Sequence, residues 1–458
     1  MRAWGWRGLF TLLQVGEGRF LRAFLGPMVQ AARDRGAWAG RLVVTAPRPH
    51  GGLTLAQWIA AGGYRVAVRG PQGTQVSRLA LPDAVLDGFT QRGRLLDEVR
   101  AAAPLVVVSN TTEVGLEYHA EPVASPVSFP GRLTSWLLAR RQAGVREPVC
   151  VIPCELVTDN GAQLRAAVLA HAAAWGLDGP GLVDGVAFAD TLVDRIVTPW
   201  DAPDAGPLDC ATEPYTAWFV AGVPEWVRRA LPFWEVTWVD DVGPARRRKL
   251  RLLNGTHSLL AAFGLLLGLR TVGEALDHPD LGPFVRDALT VEGVGSFPTA
   301  ERAEAEAFGR ATLERLVNPA MSDPLPRLAL ALGPKLRARW TPILEGWRAE
   351  HGSWPPRFAA GVAAYLRLVA GAPAAVDMAT LDDAAVVARW RSIAVAQPQA
   401  FVRLAAADPA WPVPTDAGLL EMVSRAYASM AADGPAAYMA AHAAHADWSR
   451  DAGSRIRG

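Results

Sequence analysis

The sequence predicts an α/β domain over residues 1–244 and an all-α domain over residues 245–458. In the first half, short apolar runs alternate with amphipathic helical segments, a pattern typical of βαβ units and a mostly parallel sheet. From Ala245 onward the strand-like runs nearly disappear. Segments rich in Ala, Leu, Arg and Glu are broken there by prolines, which indicates a series of helices. A length of 458 residues also favours more than one domain.

The individual elements of the α/β half follow from these runs. Strands are expected at residues 9–15, 41–45, 105–109, 149–153 and 186–189, and helices near residues 20–35, 87–102 and 160–175. Residues 64–69 and 76–81 are expected to form a polar-edged β pair, and residues 234–240 to return as a strand to the first sheet. The apolar run at 259–269 is shorter than the roughly 20 residues of a membrane span, so it predicts a buried helix.

Composition narrows the class of protein. Lys and Arg total 46 and Asp and Glu total 45, so a net charge of +1 gives no reason to expect nucleic acid or a membrane surface as partner. Three cysteines and the absence of a recognisable cleavage site near the N-terminus indicate a reducing, cytoplasmic setting. Cys150 and Cys154 lack the spacing of a zinc site, so no metal is expected.

A glycine turn is the first candidate site. Gly16 and Gly18 follow the first strand and precede a helix, where backbone amides can approach a pyrophosphate. The third glycine of a dinucleotide fingerprint would fall at Leu21, and the end of the second strand, residues 45–48, carries no acid for a ribose. The turn alone therefore leaves open an ordinary turn or a dinucleotide site, and NAD or NADP as the coenzyme.

A lysine constellation is the second candidate site. Among 46 basic residues only Lys249 and Lys335 are lysines, and an amine can lose a proton where a guanidinium cannot. On an α-helix at about 100° per residue, Lys249, Asn254 and His257 project within an arc of roughly 140°. A base, an amide donor and an imidazole on one face suit an alcohol/ketone interconversion. The alternative is that Lys249 belongs to a solvated basic run with the arginines at 246–248, which could also attract a carboxylate.

Five segments together carry a resemblance to a known family. They are VGEGRFLRAF (15–24), SNTTEVGL (109–116), PCELVTDNG (153–161), FADTLVDRIVTP (188–199) and KLRLLNGTH (249–257). The chain resembles the long-chain, metal-independent polyol dehydrogenases, the mannitol dehydrogenase family, and most closely its sugar-acid branch. The likeness extends over most of the chain.

The resemblance implies a Rossmann-type N-terminal domain that binds NAD. Gly16, Gly18, Phe20 and Arg22 match the family's cofactor turn, which has no third glycine of its own. Asn110 is expected to join them, because it ends a strand at the sheet edge where ligands gather in α/β folds.

The resemblance also implies a helical substrate domain that works without a metal. Lys249 would be the general base in oxidation and the general acid in reduction, Asn254 would hold the reacting oxygen, and His257 would bind the sugar chain. The mannitol branch has an oxyanion asparagine where this chain has Leu156, and Asn160 is a candidate replacement.

The function expected from this resemblance is an NAD(H)-dependent oxidoreductase acting on a small-molecule sugar acid, a hexuronate-derived keto acid and its aldonate. A neutral polyol (mannitol or arabinitol) and fructuronate stay open as substrates, and the sequence leaves the oligomeric state undetermined.

Overall fold

The computed structural model describes residues 10–49, 55–80, 82–318, 323–371 and 381–442. The chain divides into two compact units, Met1–Ala245 and Arg246–Gly458. The first unit is α/β and the second is helical, as the sequence predicts.

The strands in the described part of the first unit form three sheets. The strands are β1 (Thr11–Val15), β2 (Arg41–Thr45), β3 (Tyr64–Gly70), β4 (Gly73–Leu79), β5 (Ala84–Leu86), β6 (Leu105–Ser109), β7 (Val149–Pro153), β8 (Val186–Phe188), β9 (Asp190–Asp194), β10 (Val197–Pro199), β11 (Cys210–Thr212), β12 (Ala217–Ala221) and β13 (Val236–Trp238). The main sheet has six parallel strands in the order β5-β2-β1-β6-β7-β8. The smaller sheets have the orders β10-β11-β3-β4 and β13-β12-β9.

Helices connect these strands. They are α1 (Arg19–Asp34), α2 (Leu55–Ala61), α3 (Arg92–Ala101), α4 (Phe129–Gln142), α5 (Asn160–Ala174), α6 (Gly179–Leu182), α7 (Glu225–Ala230) and α8 (Gly243–Arg248), within which the boundary between the units falls; a 3-10 turn spans Glu113–Leu116.

The main sheet is covered on both faces, which is why its strands read as continuous apolar runs. Along β1, Leu12 packs into one core with α1, whereas Leu13 and Val15 pack into a second core with α3, α4 and α5. This alternation is the two-residue period of a strand. A parallel sheet with helices on both sides is a doubly wound α/β fold.

Two expectations need correction. Residues 234–240 contribute β13 to the three-stranded sheet, parallel to β12, and not to the main sheet. The helix expected from residue 87 begins at Arg92, because the Asp87 carboxylate accepts the backbone N–H groups of Phe89 and Thr90 in a turn. A short apolar run indicates that a strand is buried but does not identify its partner strand, which is why the sheet expected for residues 234–240 is wrong. Leu9 and Leu81, the ends of two predicted strands, lie outside the described residues.

The described part of the second unit contains eleven helices. They are α9 (Gly255–Leu266), α10 (Val272–Asp277), α11 (Leu281–Asp287), α12 (Arg302–Leu316), α13 (Leu325–Leu328), α14 (Leu332–His351), α15 (Pro356–Gly371), α16 (Ala384–Ala396), α17 (Phe401–Ala406), α18 (Ala417–Ala432) and α19 (Pro435–His442); π-helical turns span Lys249–Asn254 and Ala288–Gly293, and a 3-10 turn spans Thr299–Glu301.

Helices α9 and α15 form the centre of this unit. Residues 255–265 of α9 are all buried, and most of α15 is buried with them in one apolar core. A helix that is apolar on every side belongs in the middle of a domain. Among the described residues, no helix has both the length and the hydrophobicity for a membrane crossing.

Candidate functional site

The glycine turn lies at the switch point of the main sheet. On one side of β1 the order continues to β2 and on the other to β6, and ligands of doubly wound folds bind at the carboxyl ends of strands at such a point. The Gly16 N–H donates to the Thr45 carbonyl (2.9 Å), and the Asn110 N–H donates to the Val15 carbonyl (3.0 Å). The structure therefore brings together two of the predicted cofactor positions, Gly16 and Asn110.

Gly16 and Gly18 are required for different reasons. Gly16 has a φ of +131°, and a Cβ there would lie 2.9 Å from the Asn110 carbonyl oxygen, so only glycine fits. Gly18 has an ordinary φ of −65°, and a Cβ there would meet nothing within 4 Å. The protein itself therefore tolerates a side chain at Gly18, and the open space is where a ligand can approach the backbone.

The N-terminus of α1 suits an anion. Gly18 is its N-cap and offers no side-chain cap, and the first turn holds no acid. The first N–H groups of a helix carry partial positive charge and lack intrahelical partners, so a pyrophosphate fits them. Phe20, another predicted cofactor-binding residue, lies in this turn and is half-buried. Its ring stacks on that of Phe24, with the ring centroids 4.8 Å apart.

Arg22 lies behind the turn. Its guanidinium is buried (4% exposed) and donates to the backbone carbonyls of Glu17 and, at 2.8 Å, Leu208. Burial lowers the pKa of Arg22. The residue holds the turn in place, so it would act on a cofactor mainly through the position of the turn.

Pro27 interrupts the hydrogen bonding of α1, and Arg195 compensates. Proline has no N–H for the carbonyl four residues earlier, that of Ala23. Arg195 Nη1 donates to this carbonyl at 2.7 Å, while its Nε and Nη2 donate to the Glu213 carbonyl at 3.3 and 3.1 Å. Arg195 thus joins α1 to the segment that follows β11.

Glu155 fixes the loop that carries Asn110. The carboxylate is 3% exposed and accepts hydrogen bonds from Ser109 Oγ (3.0 Å) and from Thr111 N–H (2.8 Å) and Oγ1 (2.9 Å). Burial raises the pKa of Glu155, and these hydrogen bonds oppose the rise. Asn110 Nδ2 donates to the Cys154 carbonyl at 3.0 Å. The carboxyl ends of β6 and β7 are therefore tied together.

Asn160 does not replace the missing oxyanion asparagine. It is fully buried, its amide nitrogen donates to the carbonyls of Pro153 (3.0 Å) and Glu155 (3.1 Å), and its oxygen accepts the Thr191 N–H (2.9 Å). An amide that is saturated by backbone groups has no donor left for a substrate. Leu156, which is 60% exposed, has no polar side chain to offer.

Asp87 is a functional candidate that the sequence reading did not identify. Thr45 at the end of β2 pairs with Leu86 in β5, so Asp87 follows directly beside the position where a ribose-binding acid is missing. Burial raises the pKa of Asp87, but hydrogen bonds from Phe89 and Thr90 outweigh it and lower the pKa overall. The signal was hidden because a strand of three residues is too short to recognise by pattern.

In the second unit, the predicted catalytic residues lie on a π-helical turn and on the helix that follows it. Lys249 begins the turn, Asn254 ends it, and His257 lies in the first turn of α9. The Gly255 N–H donates to the Leu250 carbonyl, five residues earlier. In such a turn residues five apart become neighbours, so the 140° arc expected for an α-helix does not apply and Lys249 and Asn254 align more closely.

Exposure differs along this constellation. Lys249 and Asn254 are half-buried and His257 is 8% exposed. π-helical turns are rare and occur often at functional sites. The π-helical turn at Lys249–Asn254 also contacts the one at Ala288–Gly293, because a Cβ on Gly293 would lie 3.1 Å from Leu252 Cδ2.

The basic run before Lys249 is at least partly paired. Arg247 donates to both carboxylate oxygens of Glu301 (3.0 and 3.1 Å), and Arg248 donates to Glu304 at 2.5 Å. These pairs favour a structural role for the two arginines over recognition of a substrate carboxylate.

Lys335, the second lysine, lies on α14 among other cations. It is half-buried, and its Nζ donates to the Leu328 carbonyl at 3.2 Å. Burial lowers the pKa of Lys335, and the charges of Arg339 and Arg327 lower it further. Arg339 in turn donates to the Asn254 carbonyl, so this group of cations lies close to the predicted catalytic helix.

No group of three His, Cys, Asp or Glu in the described part of the chain is arranged to hold a metal. Cys150 and Cys154 are both buried free thiols.

A doubly wound sheet with a glycine turn at its switch point is the architecture of a Rossmann-type dinucleotide-binding domain. Residues 11–229 match the mannitol dehydrogenase Rossmann domain, and residues 241–431 match the mannitol dehydrogenase C-terminal domain. The chain therefore belongs to the mannitol dehydrogenase family, as its motifs suggested, and is an oxidoreductase of CH–OH groups.

Named relatives and solved structures agree with this assignment. The altronate oxidoreductase of Halalkalibacterium halodurans is 33% identical over 79% of this chain and 75% of its own length, and that of Bacillus subtilis is 30% identical over 78% of each. The fold is similar to a Pseudomonas fluorescens mannitol 2-dehydrogenase in ternary complex with NAD and D-mannitol (TM-score 0.71, 21% identity, 95% and 94% covered). It is also similar to a D-sorbitol dehydrogenase (TM-score 0.77, 20% identity, 93% and 94% covered).

Proposed function

We propose that the chain is an NAD(H)-dependent oxidoreductase that interconverts a hexuronate-derived keto acid and its aldonate, with tagaturonate and altronate as the first pair to test. The observation that carries this proposal is the identity of 30–33% to altronate oxidoreductases over about four-fifths of the chain. Lys335 and Arg339 on α14 also support an acidic substrate, because a carboxylate would offset the repulsion between these two cations, whereas Arg327 is already paired with Asp323.

The roles of the protein groups follow from their chemistry. When bound, the dinucleotide supplies the hydride in reduction and accepts it in oxidation. In reduction the Lys249 ammonium gives its proton to the oxygen of the keto group as that oxygen gains charge, and in oxidation the neutral amine removes the hydroxyl proton. The Asn254 amide donates a hydrogen bond to the same oxygen. His257 binds hydroxyl groups of the sugar chain.

The choice of NAD rests on two features of different kinds. The mannitol 2-dehydrogenase to which the fold is similar was solved with NAD. In this chain, Asp87 stands beside the end of β2, where a carboxylate binds a ribose hydroxyl and repels a 2′-phosphate. Arg48, which is exposed near the glycine turn, is the residue that would favour NADP instead.

The substrate is tested by coenzyme-linked assays on the full chain. Tagaturonate and fructuronate are offered with NADH and with NADPH, and mannitol and arabinitol with the oxidised coenzymes. We expect the highest kcat/KM with tagaturonate and NADH. Faster turnover of a neutral polyol, or none of any compound, would contradict the proposed substrate.

Lys249→Ala tests the mechanism. NADH binding should persist while turnover falls by a factor on the order of 10²–10⁴, the usual contribution of a positioned acid–base group. Arg247→Ala is the matched control, because Arg247 belongs to the same basic run and pairs with Glu301. Equal losses in the two variants would support the solvated-run interpretation of Lys249, and wild-type turnover in Lys249→Ala would remove its role.

A further inference from the structure

Arg339 is a half-buried cation on α14 that contacts the junction between the π-helical turn at Lys249–Asn254 and α9. Its Nη1 donates to the Asn254 carbonyl at 3.3 Å and to Ser258 Oγ at 2.9 Å. Among the described residues no carboxylate forms an ion pair with Arg339, and burial lowers the pKa of Arg339 to about 10. Its charge is therefore held at a cost that the local fold does not offset with an acid.

The neighbouring residue on α14 fixes the next carbonyl. Trp340 Nε1 donates to the Gly255 carbonyl at 3.0 Å. A Cβ on Gly255 would lie 2.9 Å from Ile343 Cδ1, so the helices approach closely at this point. Two consecutive side chains of α14 thus bind two consecutive carbonyls where the π-helical turn passes into α9.

This junction sets the direction of the predicted catalytic groups. Asn254 is the last residue of the π-helical turn, so a rotation of its peptide changes where its amide points. No proline from residue 245 to 266 interrupts the α-helical hydrogen bonds, and within this segment the Thr256 hydroxyl donates to the Leu252 carbonyl at 2.6 Å. Arg339 and Trp340 hold the C-terminal end of the turn from α14, while within the turn Arg251 Nη1 donates to the Ser296 carbonyl at 2.8 Å.

A purely structural bond to a carbonyl does not need a charge. Trp340 performs the same task one residue later with a neutral indole N–H. The guanidinium differs because Nη1 carries two N–H groups, which donate to a carbonyl and a hydroxyl at once, and because its charge strengthens both bonds.

We propose that Arg339 is a positioning residue for the reaction, which holds the Asn254 carbonyl and the Ser258 hydroxyl so that the Asn254 amide and the Lys249 amine keep the geometry that the reacting oxygen requires. This inference rests on the proposed function for its effect on turnover. Its structural part, that Arg339 holds the π-helical turn, stands independently of any substrate.

Hydrogen exchange tests the structural part. In Arg339→Met the amides of residues 249–258 should exchange about tenfold faster than in the wild type, because the variant loses the charge-assisted hydrogen bonds to the Asn254 carbonyl and the Ser258 hydroxyl. Arg337→Met is the matched control. Arg337 lies on the same helix and donates to the carbonyls of Pro409 (3.1 Å) and Trp411 (2.8 Å), so its loss should leave 249–258 unchanged.

Kinetics test the consequence. Arg339→Met should lower kcat about 100-fold, as expected for a small misplacement of catalytic groups, with the KM for NADH within about twofold of wild type. Arg339→Lys keeps the charge and part of the hydrogen bonding, so it should recover about tenfold. Arg337→Met should retain wild-type kcat.

The outcomes separate the two proposals. Unchanged exchange at 249–258 in Arg339→Met overturns the inference, whatever the activity. Faster exchange with an unchanged kcat, or a kcat loss shared equally by Arg337→Met, also overturns it. Faster exchange in a chain whose wild type turns over no sugar acid or polyol would contradict the proposed function while the structural part of the inference stands.

Discussion

Helix α1 depends on a hydrogen bond supplied by a side chain, and this dependence can be measured. Pro27 leaves the Ala23 carbonyl without its helical donor, and Arg195 Nη1 takes that place at 2.7 Å. Arg195→Met removes this bond together with those to the Glu213 carbonyl. Pro27→Ala restores a helical N–H for the Ala23 carbonyl. The two changes should therefore be coupled.

The magnitude follows from the bonds involved. With about 1–2 kcal/mol for each buried acceptor left without a partner, the lower part of the usual range, Arg195→Met should cost about 2–4 kcal/mol through its two carbonyls. In the Pro27→Ala background one of these carbonyls keeps a donor, so the cost should fall by about 1–2 kcal/mol. Pro27→Ala alone should have little effect, because a carbonyl accepts two hydrogen bonds.

Hydrogen exchange of the amides in α1, followed by mass spectrometry on the full chain, reads this coupling locally. A coupling of 1–2 kcal/mol corresponds to a factor of about 5–30 in exchange rate. A global melting temperature is less informative, because a chain of two units need not unfold in one step.

Additive effects would refute the reasoning. If Arg195→Met accelerates exchange by the same factor with Pro27 and with Ala at position 27, within about 0.5 kcal/mol, then Arg195 does not substitute for the lost helical donor.

Three further predictions concern the site and its support. Gly16→Ala should speed hydrogen exchange of the amides around the glycine turn, because the φ of Gly16 and its 2.9 Å approach to the Asn110 carbonyl oxygen exclude a Cβ. Gly18→Ala should leave this exchange unchanged and weaken NADH binding by about 1–3 kcal/mol, and equal effects of the two changes would contradict their separate roles. Asp87→Asn should shift the preference towards NADPH by about tenfold in kcat/KM, or ~1.4 kcal/mol, and an unchanged ratio would remove Asp87 from coenzyme selection. Burial raises the pKa of Glu292 from 4.5 to about 7 although it accepts the backbone N–H groups of Arg357 and Phe358. Since the folded state then binds more protons, the free energy of unfolding should fall by up to roughly 3 kcal/mol from pH 4.5 to pH 7 and level off above, and a urea titration of Glu292→Gln should lack this slope. A stability that rises through that range in the wild type would contradict the assignment.

Part of the site is visible in the sequence because local spacing is enough to define it. Gly16 and Gly18 follow a strand and precede a helix, which is sufficient to expect the turn that the structure shows. Asn110 could be added because it follows another parallel strand, and the carboxyl ends of such strands meet at one edge.

Other parts were hidden because the partner is distant in sequence. Asp87 became a candidate for ribose binding only because the pairing of β5 with β2 places it beside the end of β2. Arg22 donates to the Leu208 carbonyl, which lies 186 residues away in sequence. Asn160 looked available in the sequence, yet the strands around it saturate its amide.

The sequence by itself determined the α/β and all-α halves, the position of the glycine turn, and the order Lys249, Asn254, His257. It could do so because apolar periodicity and residue spacing record which residues are buried and which follow one another. The tertiary structure decided that Lys249 and Asn254 lie on a π-helical turn, held from α14 by Arg339 and Trp340. A helix can close its hydrogen bonds after four residues or after five, and the side chains that bind the Asn254 and Gly255 carbonyls here lie 85 residues away in sequence, so no local pattern encodes these contacts.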